Sequence, residues 1–181
     1  MVVTRTAIPE VLIIEPKVFG DARGFFFESY SRRDFAQATG IDAEFVQDNH
    51  SRSLHNVLRG LHYQLRQPQG KLVRVTLGEI WDVAVDLRRS SPSFGRWVSF
   101  ELSAATKRMA WVPPGFAHGF LVTSAAAEVQ YKTTDYYAPE HERTLLWNDP
   151  GLAIPWPLAG TPIMTEKDQR GRPLAEAEGC A

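Results

Sequence analysis

Hydrophobic and polar residues alternate along short runs of this chain, which is the pattern of strands with one buried face. The clearest run covers residues 71–87, is broken at Gly78 and Glu79, and predicts two half-buried strands joined by a tight hairpin. One face of the second strand is apolar, whereas the other interleaves carboxylates with aliphatic residues and therefore faces solvent or a cavity. These two faces are Trp81, Val83, Val85 and Leu87, and Ile80, Asp82, Ala84 and Asp86.

Further strand-like runs, separated by Pro, Gly, Asn and Ser, predict an all-β antiparallel sandwich or barrel. The clearest helix is Arg32–Thr39, with Ser31 as its N-cap, Asp34 three residues later and Gly40 as its stop. The 181 residues fit one domain, whose Pro- and Gly-rich part from about residue 147 is expected to wrap the sheet. The predicted strands are residues 11–14, 24–30, 45–47, 57–65, 71–77, 80–87, 97–102, 108–112, 119–123 and 127–134.

Composition narrows the classes of partner. With 44% hydrophobic residues, 23% charged residues and a formal net charge of -1, the chain carries no basic stripe of the kind that binds nucleic acid. A phosphorylated ligand needs only a few local Arg or Lys side chains and stays possible.

The chain shows neither a signal-type apolar run nor a stretch long enough to span a bilayer, so we expect a cytoplasmic protein without a membrane partner. The single cysteine, Cys180, excludes an internal disulfide and a thiolate metal cluster.

Several polar and aromatic groups are ambiguous when each is taken alone. Phenylalanines at residues 25–27 indicate a strand buried on both sides or an interface, and the adjacent Arg23 and Glu28 either bind a ligand or solvate the strand ends. The polar run at residues 47–51 is typical of a turn. Alternation places Tyr131, Thr133, Asp135 and Tyr137 on one face, where phenols pack or exchange protons.

The segment from Trp111 to His118 contains Pro-x-Gly-x-x-His, which resembles the second signature of the cupin barrels. In metal-binding cupins the first signature supplies His-x-His and a nearby Glu as ligands. The corresponding positions here are His62, Tyr63 and Gln64, and residues 65–70 contain no acid. We therefore expect no metal and no cofactor, and acid–base chemistry at the histidines.

Eight short motifs occur in an order that closely resembles the dTDP-4-dehydrorhamnose 3,5-epimerase family over essentially the whole chain. No single motif is diagnostic, but the ordered set is highly specific. The motifs are Arg-Gly-x-Phe-x-Glu at 23–28, Gln-x-Asn at 47–49, Val-Leu-Arg-Gly-Leu-His-Tyr-Gln at 57–64, Gln-Gly-Lys-Leu-Val at 69–73, Gly-Phe-Ala-His-Gly-Phe at 115–120, Tyr-Lys-x-Thr-x-Tyr-Tyr at 131–137, Trp-Asn-Asp-Pro at 147–150 and Glu-Lys-Asp at 166–168.

The resemblance implies a cupin-type jelly-roll barrel with a few short helices, working without a metal as a homodimer. It implies inversion of dTDP-4-dehydro-6-deoxy-D-glucose at C3 and C5 to dTDP-4-dehydro-6-deoxy-L-mannose, in the biosynthesis of dTDP-L-rhamnose for cell-surface polysaccharide. The aromatic residues at 25–27 would suit the dimer interface.

The resemblance also implies roles for individual residues. His62 is similar to the general base, Asp168 to the carboxylate that orients it, Tyr131 to the acid on the opposite face, and Lys71 to the cation beside the keto oxygen. We predict a hydrogen bond between His62 and Asp168. The residues matching substrate contacts are Arg23, Phe25, Glu28, Gln47, Asp48, Asn49, Arg59, Lys71, His118, Tyr137, Glu142 and Lys167.

Two questions stay open at this point. Simple alternation puts Arg59 out of phase with His62, so both reach one pocket only if the strand bulges near Gly60. The activity has two alternatives: an epimerase that inverts only C3 or only C5, and a non-catalytic or metal-dependent cupin. Deuterium exchange at both carbons, at one carbon or at neither separates the three functions.

Overall fold

The computed structural model describes residues 1–180, which form two antiparallel sheets, a small hairpin and short helices. The larger sheet contains β1 (Val2–Arg5), β2 (Leu12–Glu15), β5 (Gln47–Leu54), β7 (Lys71–Leu77), β10 (Met109–Val112) and β12 (Ala126–Thr133). The smaller sheet contains β6 (Leu58–Gln64), β8 (Glu79–Asp86), β9 (Trp97–Ser103), β11 (Phe116–Val122) and β13 (Glu142–Thr144). The hairpin consists of β3 (Phe19–Asp21) and β4 (Gly24–Phe26).

The strand orders are β1-β2-β10-β7-β12-β5 in the larger sheet and β13-β6-β11-β8-β9 in the smaller one. The two sheets pack their apolar inner faces against each other, so that side chains of both fill the barrel. This arrangement confirms the predicted all-β jelly roll. The inner apolar cluster is Val73, Val75, Ile80, Leu102, Ala110, Phe120, Val122, Ala127 and Val129.

The predicted helix is present as α1 (Arg32–Thr39), between the Ser31 cap and Gly40 in the left-handed conformation. It packs Phe35 onto the outer face of the larger sheet, where the ring lies 5.7 Å from that of Trp111. A one-turn helix, α2 (Glu166–Gln169), begins at the Thr165 cap, and 3-10 helices occur at Pro139–His141 and Leu174–Glu176.

The C-terminal part covers the outer face of the smaller sheet. Trp156 packs edge-on against Trp81 with ring centroids 5.1 Å apart, and Cys180 is buried in the same cluster. Each large apolar side chain removed from water here contributes on the order of 2 kcal/mol. This burial fixes the position of α2, which contributes a side chain to the site described below. No helix within residues 1–180 is long and apolar enough to cross a membrane.

The hairpin predicted over residues 71–87 is wrong, although its two strands exist. β7 lies in the larger sheet and β8 in the smaller one, so the chain crosses between sheets at Gly78 instead of turning back on itself. The faces of β8 follow the prediction: Val83 packs in the outer core, whereas Asp82 and Asp86 are fully buried on the other side.

Other strands also differ from the prediction. The polar run at residues 47–51, predicted as a turn, lies inside the edge strand β5, which tolerates polar side chains because one of its sides has no neighbouring strand. The strand predicted at 24–30 ends at Phe26, and that at 127–134 ends at Thr133, before Asp135 and Tyr137. The short strands β1, β3 and β13 were not predicted from the sequence.

Candidate active site

His62 and Asp168 form the predicted hydrogen bond at the inner face of the smaller sheet. His62 lies on β6, and its Nε2 is 2.6 Å from Oδ1 of Asp168. Asp168 is held by α2, where Thr165 Oγ1 accepts its backbone N–H, while its Oδ2 accepts the N–H of Gly60. Burial opposes ionisation of this carboxyl, but the interactions with His62 and Gly60 lower the pKa of Asp168. The imidazole is therefore paired with a carboxylate at neutral pH.

A bulge at Gly60 answers the question about Arg59. His118 of β11 is opposite His62, whereas Phe120 is opposite Arg59, so β6 contains one residue more than its partner between these pairs. Gly60 has a φ of 108°, and a Cβ there would lie 2.6 Å from the carbonyl oxygen of His118. Only glycine fits this close approach. The extra residue brings Arg59 and His62 to the same face, and Arg59 Nε donates to Ser53 Oγ at 2.8 Å.

A cavity of about 90 Å³ opens beside His62. Three of the four predicted catalytic side chains line it, from both sheets: His62 from β6, and Lys71 and Tyr131 from β7 and β12. The remaining lining residues are Tyr63, Gln64, Pro68, Gln69, Gly115, Phe116, Tyr137 and Glu142.

Lys71 and Tyr131 are both perturbed by burial. Burial lowers the pKa of Lys71 to about 8, although the charges of Asp82 and Glu142 oppose this effect. Burial raises the pKa of the Tyr131 phenol, against the charge of Arg59. At neutral pH the cavity therefore presents an ammonium group and a protonated phenol beside the imidazole.

Glu142 lies at the edge of the cavity, where its carboxylate accepts hydrogen bonds from two donors, Tyr137 and Lys167. We call these three residues the rim of the cavity. It accepts hydrogen bonds from the Tyr137 hydroxyl at 2.9 Å and from Lys167 Nζ at 2.7 Å. Burial opposes its ionisation, but these bonds and the nearby His62 lower the pKa of Glu142. Gln47 extends the rim, because its Oε1 accepts the backbone N–H of Tyr137 at 3.1 Å and its Nε2 donates to Asn49 Oδ1 at 2.9 Å.

Gln64 takes the place of the second histidine of metal-binding cupins. Its Nε2 donates to the carbonyl oxygens of Gln67 and Tyr136, and its Oε1 accepts the N–H of Ala138. The side chain therefore ties together the two loops that border the cavity. Within residues 1–180, no three or more His, Cys, Asp and Glu side chains are grouped so as to hold a metal ion.

Within one chain, four of the predicted substrate contacts lie away from the cavity, its rim and the inner face of the smaller sheet. Arg23 lies at the tip of the hairpin with its side chain 90% exposed, where it pairs with Asp21, and Phe25 is 62% exposed. Glu28 borders a separate groove between the hairpin and α1. Asp48 pairs with Lys132 on the outer face of the larger sheet, because it is out of phase with Gln47 and Asn49 along β5.

Sequence reasoning did not assign a role to Asp82. This carboxylate is fully buried, and its two oxygens lie 2.9 and 3.0 Å from Nε2 of His118. The signal was its position among aliphatic residues on the inward face of β8.

Comparisons with known proteins identify the family of this chain. Residues 5–176 match the family model described as dTDP-4-dehydrorhamnose 3,5-epimerase. A Pseudomonas aeruginosa protein of that name is 63% identical over 178 residues, covering 98% of each chain.

Two solved structures are also similar to this chain. An RmlC epimerase from Legionella pneumophila, in complex with dTDP-4-keto-L-rhamnose, is 52% identical with a TM-score of 0.95, covering 97% of this chain and 94% of its own. ChmJ from Streptomyces bikiniensis, a 3'-monoepimerase in complex with dTDP-quinovose, is 31% identical with a TM-score of 0.88, covering 94% of this chain and 87% of its own. The inner-face histidine, phenol and lysine thus lie in a chain that belongs to the dTDP-4-dehydrorhamnose 3,5-epimerase family.

Proposed function

We propose that this protein inverts C3 and C5 of dTDP-4-dehydro-6-deoxy-D-glucose to give dTDP-4-dehydro-6-deoxy-L-mannose. The observation that carries this proposal is the convergence of His62, Lys71 and Tyr131 on one cavity, with Asp168 bonded to His62. The product supplies dTDP-L-rhamnose for cell-surface polysaccharide, and we place the reaction in the cytoplasm.

The reaction removes a proton from a carbon next to the C4 ketone. That proton is acidic enough only because the ketone oxygen accepts the charge as an enolate, so the site needs a base and an electrophile. His62 takes the proton, and Asp168 stabilises the imidazolium that forms. The Lys71 ammonium stabilises the negative charge that develops on the oxygen.

Inversion requires that the new proton arrive from the face opposite the base. His62 belongs to the smaller sheet and Tyr131 to the larger one, and both side chains line the same cavity. A sugar ring held between the sheets therefore has an imidazole on one face and a phenol on the other. This opposition supports epimerisation over simple proton exchange.

The rim supplies polar groups for the nucleotide part of the substrate. Tyr137, Glu142 and Lys167 are hydrogen-bonded together next to the cavity, and Gln47 and Asn49 adjoin them. Arg59 and His118 lie on the inner face of the smaller sheet. We assign these residues to substrate binding.

The working form we propose is a homodimer. The hairpin exposes Phe25 and Phe26 in the single chain, and Arg23 projects into solvent beside them. Exposed apolar surface of this kind is typical of an interface. A second copy would cover these rings, and the partner's Arg23 would then supply the phosphate-binding cation that the cavity lacks from its own hairpin.

Isotope exchange tests the activity directly. Incubated with the thymidine-linked 4-keto sugar in heavy water, the protein should incorporate deuterium at both C3 and C5, and the product should be reduced by an NADPH-dependent reductase specific for the L-configured sugar. Label at one carbon only would indicate a monofunctional epimerase, the activity named for the similar ChmJ. Absence of exchange, or loss of activity after chelation that is restored by a metal, would refute the proposal.

A further inference from the structure

A second pair of a histidine and an aspartate, His118 and Asp82, is buried in the barrel and is less exposed than the His62–Asp168 pair. Asp82 of β8 has no exposed surface, and both of its oxygens lie within hydrogen-bond distance of His118 Nε2. His118 is 8% exposed and is opposite His62 in the register of β11 with β6. Asp82 and His118 thus lie next to the candidate site, further inside the barrel.

Lys71 is also buried inside the barrel, and its ammonium group makes little hydrogen bonding there. The residue is 8% exposed, and the one hydrogen bond of its Nζ within residues 1–180 is a long contact of 3.5 Å with the carbonyl oxygen of His62. A buried ammonium with so little hydrogen bonding remains charged only if an anion lies nearby. The charges of Asp82 and Glu142 both act on Lys71.

These two carboxylates differ in what else neutralises them. Glu142 already pairs with the Lys167 ammonium at 2.7 Å and accepts the Tyr137 hydroxyl, at a rim reached by solvent. Asp82 is fully buried, and among residues 1–180 the only hydrogen-bond partner of its carboxylate is the His118 ring. Burial raises the pKa of Asp82, and the His118 ring and the Lys71 ammonium oppose this effect. Burying the Asp82 carboxylate and the Lys71 ammonium together leaves an interior without net charge, whereas burying either alone is costly.

We propose that Asp82 is a positioning residue of this site, which orients His118 through its Nε2–H and supplies the counter-charge that keeps Lys71 an ammonium group at the keto oxygen. The inference rests on the proposed epimerase function for its kinetic test. A second test reads Lys71 in the protein without substrate, so the two proposals can fail separately.

The kinetic test compares pH profiles of kcat/KM for the wild type and Asp82→Asn. Asparagine keeps the shape and an oxygen acceptor for His118 but removes the charge. The alkaline limb, on which activity falls as Lys71 loses its proton, should move to lower pH by at least about one unit. At pH 8 the variant should then lose at least about fivefold in activity relative to the wild type, with a much smaller loss at pH 6.

Asp86→Asn is the matched control. Asp86 lies on the same strand and is equally buried, but it binds Arg88, Ser91 and Ser93 outside the cavity. This variant should lose stability without moving the alkaline limb. An equal shift in both variants, or no shift in Asp82→Asn, would overturn the role of Asp82.

The second test follows the ¹³Cε resonance of Lys71 with pH, assigned with Lys71→Arg. Its titration should move to lower pH in Asp82→Asn, together with the kinetic limb. If Asp82→Asn does not fold, the wild-type protein still tests the proposal, because the ¹³Cγ resonance of Asp82 reports whether its carboxyl group is ionised. A carboxylate that is already ionised at neutral pH, below the Lys71 titration, supports the proposal, and a carboxyl that stays protonated up to the Lys71 titration refutes it. The other titratable groups that line the cavity with Lys71 are His62, Tyr63, Tyr131, Tyr137 and Glu142.

Discussion

Nε2 of His62 lies 2.6 Å from Oδ1 of Asp168, although 106 positions separate the two residues in the chain. The packing of residues 147–180 on the smaller sheet positions α2 for this contact. Because a neutral amide cannot stabilise the imidazolium, Asp168→Asn should lower kcat by roughly 10²–10⁴-fold. Steady-state kinetics measure this loss, and nucleotide binding measured by calorimetry should change little. Wild-type turnover in Asp168→Asn would contradict the assignment.

Tyr131→Phe separates proton removal from inversion. The variant keeps His62 and Lys71, so the base still abstracts a proton, but no phenol returns one from the opposite face. Exchange of substrate deuterium with solvent should persist, while formation of the inverted sugar should fall by about 10²-fold or more. Nuclear magnetic resonance of the sugar carbons distinguishes the two events. Equal loss of both would indicate that Tyr131 shapes the cavity and donates no proton.

The alkaline limb of the wild-type profile should report Lys71. Burial lowers the pKa of Lys71 to about 8, and the protonated form is the one that stabilises the enolate. Activity should therefore be retained below this pH and should fall about tenfold for each further pH unit above it. Lys71→Arg retains a cation across the accessible range, so its remaining activity should lack this limb. A limb that persists unchanged in Lys71→Arg would show that another group titrates.

Mixed dimers test whether the hairpin acts across an interface. Chains carrying His62→Ala and chains carrying Arg23→Ala should each be nearly inactive alone. After they are unfolded together and refolded, the mixed dimer contains one site with an intact His62 and the partner's intact Arg23. Activity should then recover towards a quarter of the wild-type value, the share of intact sites expected for random pairing. Failure to recover, with dimers confirmed by light scattering, would place Arg23 in its own chain's site.

Alternation along the strands was sufficient to predict which residues of β8 share a face, because a side-chain period of two holds in any sheet. It could not tell that β7 and β8 belong to different sheets, since a glycine such as Gly78 permits either a hairpin or a crossover. The interior strand β8 was therefore predicted well, and its connection was predicted wrongly.

The candidate site shows the same contrast between what a local sequence pattern predicts and what tertiary packing decides. His62 was visible as a polar residue within a strand, but its phase with Arg59 depends on the bulge at Gly60, which is a property of the pairing with β11. The contact with Asp168 depends on the packing of the C-terminal part, which no local pattern encodes. Resemblance to the family supplied that pairing, and the structure supplied its geometry.

Acid stability should depend on Asp86 more than on most exposed carboxylates. Burial opposes its ionisation, but hydrogen bonds from Arg88, Ser91 and Ser93 lower the pKa of Asp86 to about 2, from an ordinary value of 3.8. A folded-state pKa below the unfolded one stabilises the protein fully above pH 4, and this contribution is lost as pH falls towards 2. The difference corresponds to about 2.5 kcal/mol of unfolding free energy at neutral pH.

Asp86→Asn should therefore lower the unfolding free energy at pH 7 by about 2 kcal/mol and make it less sensitive to acid between pH 4 and pH 2. Urea unfolding at several pH values, followed by tryptophan fluorescence, measures both effects. Asp34→Asn serves as the control, because Asp34 pairs with Arg33 at the surface of α1 and should contribute little. Parallel pH dependences for Asp86→Asn and the wild type would mean that the Arg88, Ser91 and Ser93 network does not stabilise the ionised carboxylate.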